Sequence, residues 1–325
     1  MKLYILKDNL ENVFYITIKN NLSLPKNILD KMNSYIIDVP VLLIFWARPE
    51  QFSQVFEQVK KARPSKLFLY QDGPREGMPG DVEGIEACRD IAASIDWKCD
   101  VLRFYQEENI GCDPSEFIAQ KWAFSHVDRC IVLEDDDVPS QSFFPFCKEM
   151  LEKYYDDERI NIISGMNHLG IHADCPNDYL FTRSVSIWGW ASWRRVIDQW
   201  EEDLKFLDDF YSEKLIKEIL GKKRMNTVRR HKESGRAYYE SILETSCFLN
   251  SRLNIVPQKN MISNIGISPL SVHGATSLKQ MPKGIRRLFN MDTHEIKFPL
   301  EHPEYIVDDV LYQKMRNRIM GDGHP

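Results

Sequence analysis

The chain has 325 residues, of which 43% are hydrophobic, and carries a formal charge of -6 at pH 7. That is enough apolar material for one large α/β core. The acidic balance argues against duplex nucleic acid as a partner, since phosphate binding normally needs a basic face that releases counterions.

Seven irregularly spaced cysteines fit neither a disulfide framework nor a zinc ribbon and point to a reducing, cytoplasmic setting. Residues 1–38 read as an appendage: Lys7, Asp8, Asn9 and Glu11 interrupt any signal-peptide core. No later segment reaches transmembrane length, so a soluble or peripheral protein is expected. The first core strand is the apolar run Val39 to Ala47. After Arg48 and the first-turn residue Pro49, the residues Phe52, Val55, Phe56 and Val59 recur at the spacing of one helical face. Strand, loop and helix then alternate: Lys66 to Tyr70 is a strand, a helix runs to Ile95, and Val101 to Tyr105 is a strand again. This alternation predicts a mostly parallel sheet.

Asp113, Pro114, Ser115 and Glu116 carry the N-cap, first-turn Pro and capping-box Glu of a helix start. Cys130 to Leu133 is the next buried strand. It delivers Glu134, Asp135, Asp136 and Asp137 at its carboxyl end, where open α/β sheets bind ligands. A helix near Ser142 to Tyr155, a strand at Ile160 to Ser164, an aromatic segment from Ser186 to Trp193 and a charged helical region complete the pattern. The principal domain is then 39–280, with halves 39–140 and 141–280, and residues 281–325 form an extension.

Four carboxylates in a row repel one another, a cost that a hard divalent cation would offset, so Mg²⁺ or Mn²⁺ is the natural cofactor. Such a cation bridges a diphosphate and leaves other carboxylates for ribose hydroxyls. A solvated acidic turn is the plainer reading of the same residues.

The segment IVLEDDDVPSQSFFPF resembles the metal-site segment of the Golgi N-acetylglucosaminyltransferase I family, through Glu134, Asp135, Asp136, Phe143 and Phe144. VLLIFWARP and FLYQDGP resemble that family's first two strand ends, with Arg48, Gln71 and Asp72 at the tips. SIWGWASWRR is similar to a segment of related bacterial capsule and lipopolysaccharide glycosyltransferases, with Ser192 in place of the usual Thr. The stretch from Glu240 to Gly274 resembles the family's C-terminal catalytic stretch, through Glu240, Pro257, Asn264, Ile265, Gly266, His273 and Gly274. The resemblance covers about Val39 to Gly274.

It implies a GT-A fold, a Rossmann-like nucleotide-binding half merged with an acceptor half, and a metal-dependent inverting transfer from a nucleotide diphosphate sugar, with UDP favoured. Asp136 would hold the metal. Glu134 and Asp135 would belong to the nucleotide-sugar site, Arg48 would pair with the diphosphate or ribose side, and Asp72 would accept hydrogen bonds from the base. Glu240 stands where the family has an Asp that acts as general base, and Glu244, one turn on, is a competitor. Trp188 and Trp190 would offer aromatic faces to the acceptor sugar, with Gly189 letting the backbone approach a ligand. His273 is a further candidate at the acceptor or at the metal.

The acceptor would be a glycan or lipid-linked sugar of bacterial surface polysaccharide. The basic run Lys222, Lys223, Arg224, Arg229, Arg230 and Lys232 reads either as a contact for a phosphorylated lipid or anionic membrane or as a solvated helix face. A sugar nucleotidyltransferase would need a Gly-rich loop where Arg48 and Pro49 stand, and NAD enzymes need a G-x-G-x-x-G that is missing. The alternative is a non-catalytic nucleotide-sugar or carbohydrate-binding accessory protein on the same fold, for which the Asp to Glu change at 240 is the main support.

Overall fold

The structure, a computed structural model, describes residues 3–7, 13–17, 34–267 and 283–320. In the N-terminal segment, β1 (Leu3–Lys7) and β2 (Val13–Thr17) pair as an antiparallel hairpin. The rest is built on β3 (Val41–Phe45), β4 (Lys66–Gln71), β5 (Asp100–Tyr105), β6 (Arg129–Glu134), β8 (Ile160–Ser164), β9 (Tyr179–Thr182), β10 (Trp190–Trp193) and β11 (Leu253–Pro257). Among the described residues these form one sheet in the order β5-β4-β3-β6-β10-β8-β11-β9. The first four are mutually parallel, β10 runs antiparallel to both β6 and β8, and β11 is again parallel to β8. This is the mostly parallel, helix-flanked α/β layout expected of the GT-A class.

Strand alternation explains why the sheet is covered on both faces. Leu43, Phe45, Leu67 and Leu69 turn to one core, shared with α1 (Pro49–Ala62), α2 (Pro79–Ala93) and α4 (Phe143–Lys153). Leu42, Ile44, Phe68 and Tyr70 turn to the other, shared with α3 (Cys112–His126), α6 (Phe210–Ser234) and α7 (Tyr239–Leu249). Helix α1 buries Phe52, Val55, Phe56 and Val59, the face read from their spacing. Truncating Phe52, which is fully buried and stacked on Phe45 with ring centroids 4.3 Å apart, should cost about 3–5 kcal/mol.

The chain runs from β3 outward to β4 and β5, then returns to place β6 on the other side of β3. That reversal makes the carboxyl ends of β3 and β6 a topological switch point, the place where open α/β sheets bind ligands because the connections leave in opposite directions. Arg48 follows β3 and the four carboxylates begin at the last residue of β6, so topology alone brings them together.

The start of α3 differs from expectation. The helix begins at Cys112 with Gly111 as N-cap at φ 94°, and no side chain caps it. Asp113 is therefore inside the first turn, and Glu116 is buried instead of closing a capping box. The described part of the C-terminal extension packs on the domain: Tyr312 is buried, and its hydroxyl accepts the backbone N–H of His168 at 3.2 Å. Glu295 accepts the N–H groups of Gln141 at 2.9 Å and Ser142 at 2.7 Å, capping α4 from far along the sequence.

Candidate active site

The four consecutive carboxylates have four different environments. Glu134 accepts a hydrogen bond from the Tyr239 hydroxyl at 3.1 Å, which ties the end of β6 to the first turn of α7. Asp135 is paired with the Arg48 guanidinium through both its oxygens and also accepts the Trp46 N–H at 3.3 Å. Asp136 lies 3.0 Å from the same guanidinium and accepts the Asn264 amide at 2.9 Å. Asp137 is fully buried and accepts from Asn264 at 3.1 Å and from the Gly189 N–H at 2.9 Å.

The last of these is structural. Asp137 opens β7 (Asp137–Pro139), which pairs antiparallel with β12 (Ile262–Asn264), and Asn264 stands opposite Asp137 in that register. Asn264 also receives the Gly266 N–H at 3.0 Å, and a Cβ at Gly266 would collide with the Asp136 carboxylate. The Asn-Ile-Gly motif is thus the lid of the carboxylate turn, a role its sequence gave no direct means to read.

Burial works against the charge on Arg48, and Asp135 and Asp136 more than offset it, so the guanidinium is held above its ordinary range. Burial is also the main reason that the Glu134, Asp136 and Asp137 carboxyls are pushed upward; Glu116 reinforces the effect at Glu134 and Asp136 does so at Asp137, while Arg48 opposes it at Asp136. The site holds more carboxylate than one guanidinium can balance.

Among the described residues no group of three or more His, Cys, Asp and Glu is arranged to hold a metal unaided. The donor set nevertheless fits a hard cation of the Mg²⁺ or Mn²⁺ kind. Such ions are commonly held by one or two carboxylates and completed by substrate phosphates and water, and Asp135 and Asp136 already flank a positive group here.

Two acidic residues from the helical side complete the site. Glu240, partly exposed in the first turn of α7, adjoins Glu116 of α3, whose carboxyl is held well above the usual range by burial first and by Glu240 second. The Cys112 thiol donates to Glu116 at 3.3 Å. Glu244 is turned elsewhere: the Arg224 guanidinium of α6 holds it at 2.6 Å. Sequence reasoning passed over Glu116 and Tyr239. The adjacency of Tyr239 to Glu240 was the available signal, while Glu116 had none beyond a capping pattern that proves misleading.

Three expectations are corrected. Asp72 has no acceptor capacity left for a base: Gly73 N–H at 2.9 Å and Ile110 N–H at 3.0 Å fill one oxygen, and Asn109 amide at 2.8 Å and Gly111 N–H at 3.1 Å fill the other. It holds the loop between β5 and α3. Trp190 is 1% exposed and packed between Phe124 and Trp200, so its ring belongs to the core and not to an acceptor surface. Gly189 takes a left-handed φ of 59° where a side chain would strike Ile262, so its close approach is to the protein itself. Trp188 stays partly exposed, its ring 4.8 Å from that of Phe289. His273 lies outside the described residues.

A cavity of about 660 Å³ lies behind α7, lined by Asp198, Trp200, Ile242, Thr245 and Asn250 among others. By helical periodicity Ile242, Thr245 and Leu249 face away from Glu240, so this cavity is separate from the carboxylate crevice.

No protein-family model matches the chain, and no characterised protein matches it in sequence. Among solved structures it is similar to an apo UDP-glucose pyrophosphorylase, at 9% identity and a TM-score of 0.36, covering 70% of this chain and 93% of that one. It is also similar to mouse xyloside xylosyltransferase 1 in its apo form, at 11% identity and a TM-score of 0.33, covering 66% and 84%. A 4-diphosphocytidyl-2C-methyl-D-erythritol synthase from Anaerococcus prevotii gives 8% identity and a TM-score of 0.29, covering 54% and 76%. Likenesses this distant leave function to the geometry of the site.

Proposed function

We propose that this chain is an inverting glycosyltransferase that moves a sugar from a nucleotide diphosphate donor, UDP-linked by resemblance, to a hydroxyl of a glycan or lipid-linked acceptor, as in bacterial surface polysaccharide assembly. The observation that carries the reading is the meeting of the first turn of α7, which carries Glu240, with the end of β6. Residues more than a hundred positions apart are joined by the 3.1 Å hydrogen bond from Tyr239 to Glu134. A carboxylate for the acceptor proton thus adjoins a carboxylate turn at a nucleotide-type crevice.

In this reading Glu240 takes the proton of the acceptor hydroxyl as its oxygen bonds to the anomeric carbon and the bond from that carbon to the diphosphate breaks. Burial first and Glu240 second hold the Glu116 carboxyl above its ordinary range, and the partly exposed Glu240 is the carboxylate assigned as base. Arg48 keeps Asp135 and Asp136 together at the diphosphate end, and Glu134 and Asp135 line the donor side. A divalent cation at Asp136 would neutralise the charge that develops on the leaving diphosphate. Trp188 borders the acceptor side, and His273 is retained as an acceptor or metal candidate.

The test is Glu240→Gln. Turnover should fall by about 10²–10⁴-fold while donor affinity changes less than about twofold. Retained turnover in Glu240→Gln excludes this base, and absence of hydrolysis of any nucleotide sugar by the unmodified protein favours an accessory binding role.

A further inference from the structure

With Asp72 filled by its own loops, the end of β4 offers a nucleobase no free acceptor at that residue. It offers a planar stack instead. Trp46, the residue after β3, donates its indole N–H to the Gly73 carbonyl at 2.9 Å, which fixes the ring against the loop that follows β4. Two residues further along that loop, the Arg75 guanidinium lies over the ring, its central carbon 4.7 Å from the ring centroid.

The guanidinium is held at its edge as well. Its Nε and one terminal nitrogen each donate to the Asp81 carboxylate at 2.8 Å, and the Arg75 backbone N–H donates to the same group at 3.1 Å. Asp81 is buried in the first turn of α2, so the fork is fixed in place. Yet 45% of the Arg75 side-chain surface is exposed. With one edge on Asp81 and one face on Trp46, the face left to solvent is the outer one. The stack also stands beside the carboxylate turn, because the Trp46 backbone N–H donates to Asp135 at 3.3 Å. In the sheet order β4 lies two strands from β6. Two strand spacings are about 10 Å, the reach of a ribose and its base from a diphosphate held at the end of β6.

We infer that Arg75, backed by Trp46, is the platform on which the base of the donor nucleotide stacks. Bases stack on guanidinium planes and on aromatic rings through their π-faces, which needs no acceptor at the strand end. A platform that is pinned before the ligand arrives loses little side-chain freedom on binding. Such stacking strengthens the binding of a nucleotide over that of the bare diphosphate, and this distinguishes Arg75 from Arg48, whose guanidinium sits on Asp135 and Asp136. The inference rests on the donor site of the transferase reading and assigns the residues that hold the base there.

The experiment is calorimetric titration of UDP, GDP, CDP and inorganic pyrophosphate, each with Mg²⁺, into the full chain and into Arg75→Ala and Arg75→Lys. In Arg75→Ala, whichever nucleotide binds should weaken by about tenfold or more, while pyrophosphate affinity changes less than about twofold. Arg75→Lys keeps a cation beside buried Asp81, and so keeps the fold, but has no plane on which a base can stack. It should weaken the nucleotide by a similar factor. Nucleotide affinity unmoved in both variants, or fully kept by Arg75→Lys, overturns the platform and leaves the donor site standing. A parallel loss for pyrophosphate also overturns it, by making Arg75 a phosphate contact or a brace of the loop. Failure of all four ligands to bind the unmodified chain contradicts the donor site itself, and the platform with it.

Discussion

The two strands that flank β3, β4 and β6, are each followed by aspartate at the carboxyl end of the sheet, and the fates of these residues diverge. Asp72 at the β4 end is filled by four donors from its own loops. Asp135 and Asp136 beyond β6 are balanced chiefly by one guanidinium, Arg48, that comes from a third strand end. A carboxylate satisfied by local backbone N–H groups shapes a loop, whereas one balanced by a single distant cation can exchange that partner for a ligand.

The sharpest way to break this contrast is Arg48→Ala. Removing one member of a buried ion pair leaves uncompensated charge, so stability should fall by about 3–5 kcal/mol, roughly ten degrees in Tm. Added Mn²⁺ should restore part of the loss by standing between Asp135 and Asp136. A Tm unchanged by the substitution, or unmoved by the ion in the variant, would show that this turn does not need a cation.

Asp72→Ala is the complementary experiment. Four donors lose their acceptor, and stability should drop by about 2–4 kcal/mol, with nucleotide affinity in the folded variant changed less than about threefold. Thermal unfolding and calorimetry together decide it. A tenfold affinity loss at constant Tm would return Asp72 to the nucleotide.

A smaller effect tests the helical side. Burial and then Glu240 hold the Glu116 carboxyl above its ordinary range, so the folded state binds that proton more tightly than the unfolded chain does. The resulting contribution is fully present below the unfolded pKa and diminishes as pH rises through the folded one. Glu116→Gln, which cannot ionise, should therefore have a Tm a few degrees above the unmodified protein at pH 8 and equal to it at about pH 4. Parallel Tm profiles across pH would remove Glu116 from the account.

Much of this was legible in the sequence because it depends on local pattern. The apolar runs Val39 to Ala47 and Cys130 to Leu133, and the helical face of Phe52, Val55, Phe56 and Val59, mark the buried strands and the buried side of the helix. The strand-end position of the carboxylates follows from the same pattern. What local pattern cannot give is the direction of a side chain set by a distant partner. Glu116 has the spacing of a capping box, yet α3 starts one residue before Asp113 and turns that glutamate toward Glu240. Trp190 has the look of a sugar platform, but its place between β6 and β8 buries it. The basic residues after Gly221 look continuous in sequence, and only the fold of α6 shows which of them meet acids.

The measurement that tests the central claim most directly is calorimetric titration of UDP, GDP and CDP into the unmodified protein and into Asp136→Ala, with and without Mn²⁺. The account predicts that one nucleotide binds, that Mn²⁺ tightens it, and that Asp136→Ala loses about a hundredfold in affinity only when Mn²⁺ is present. Failure of all three nucleotides to bind, or the same affinity in both proteins with Mn²⁺, would contradict a metal-assisted donor site at the end of β6.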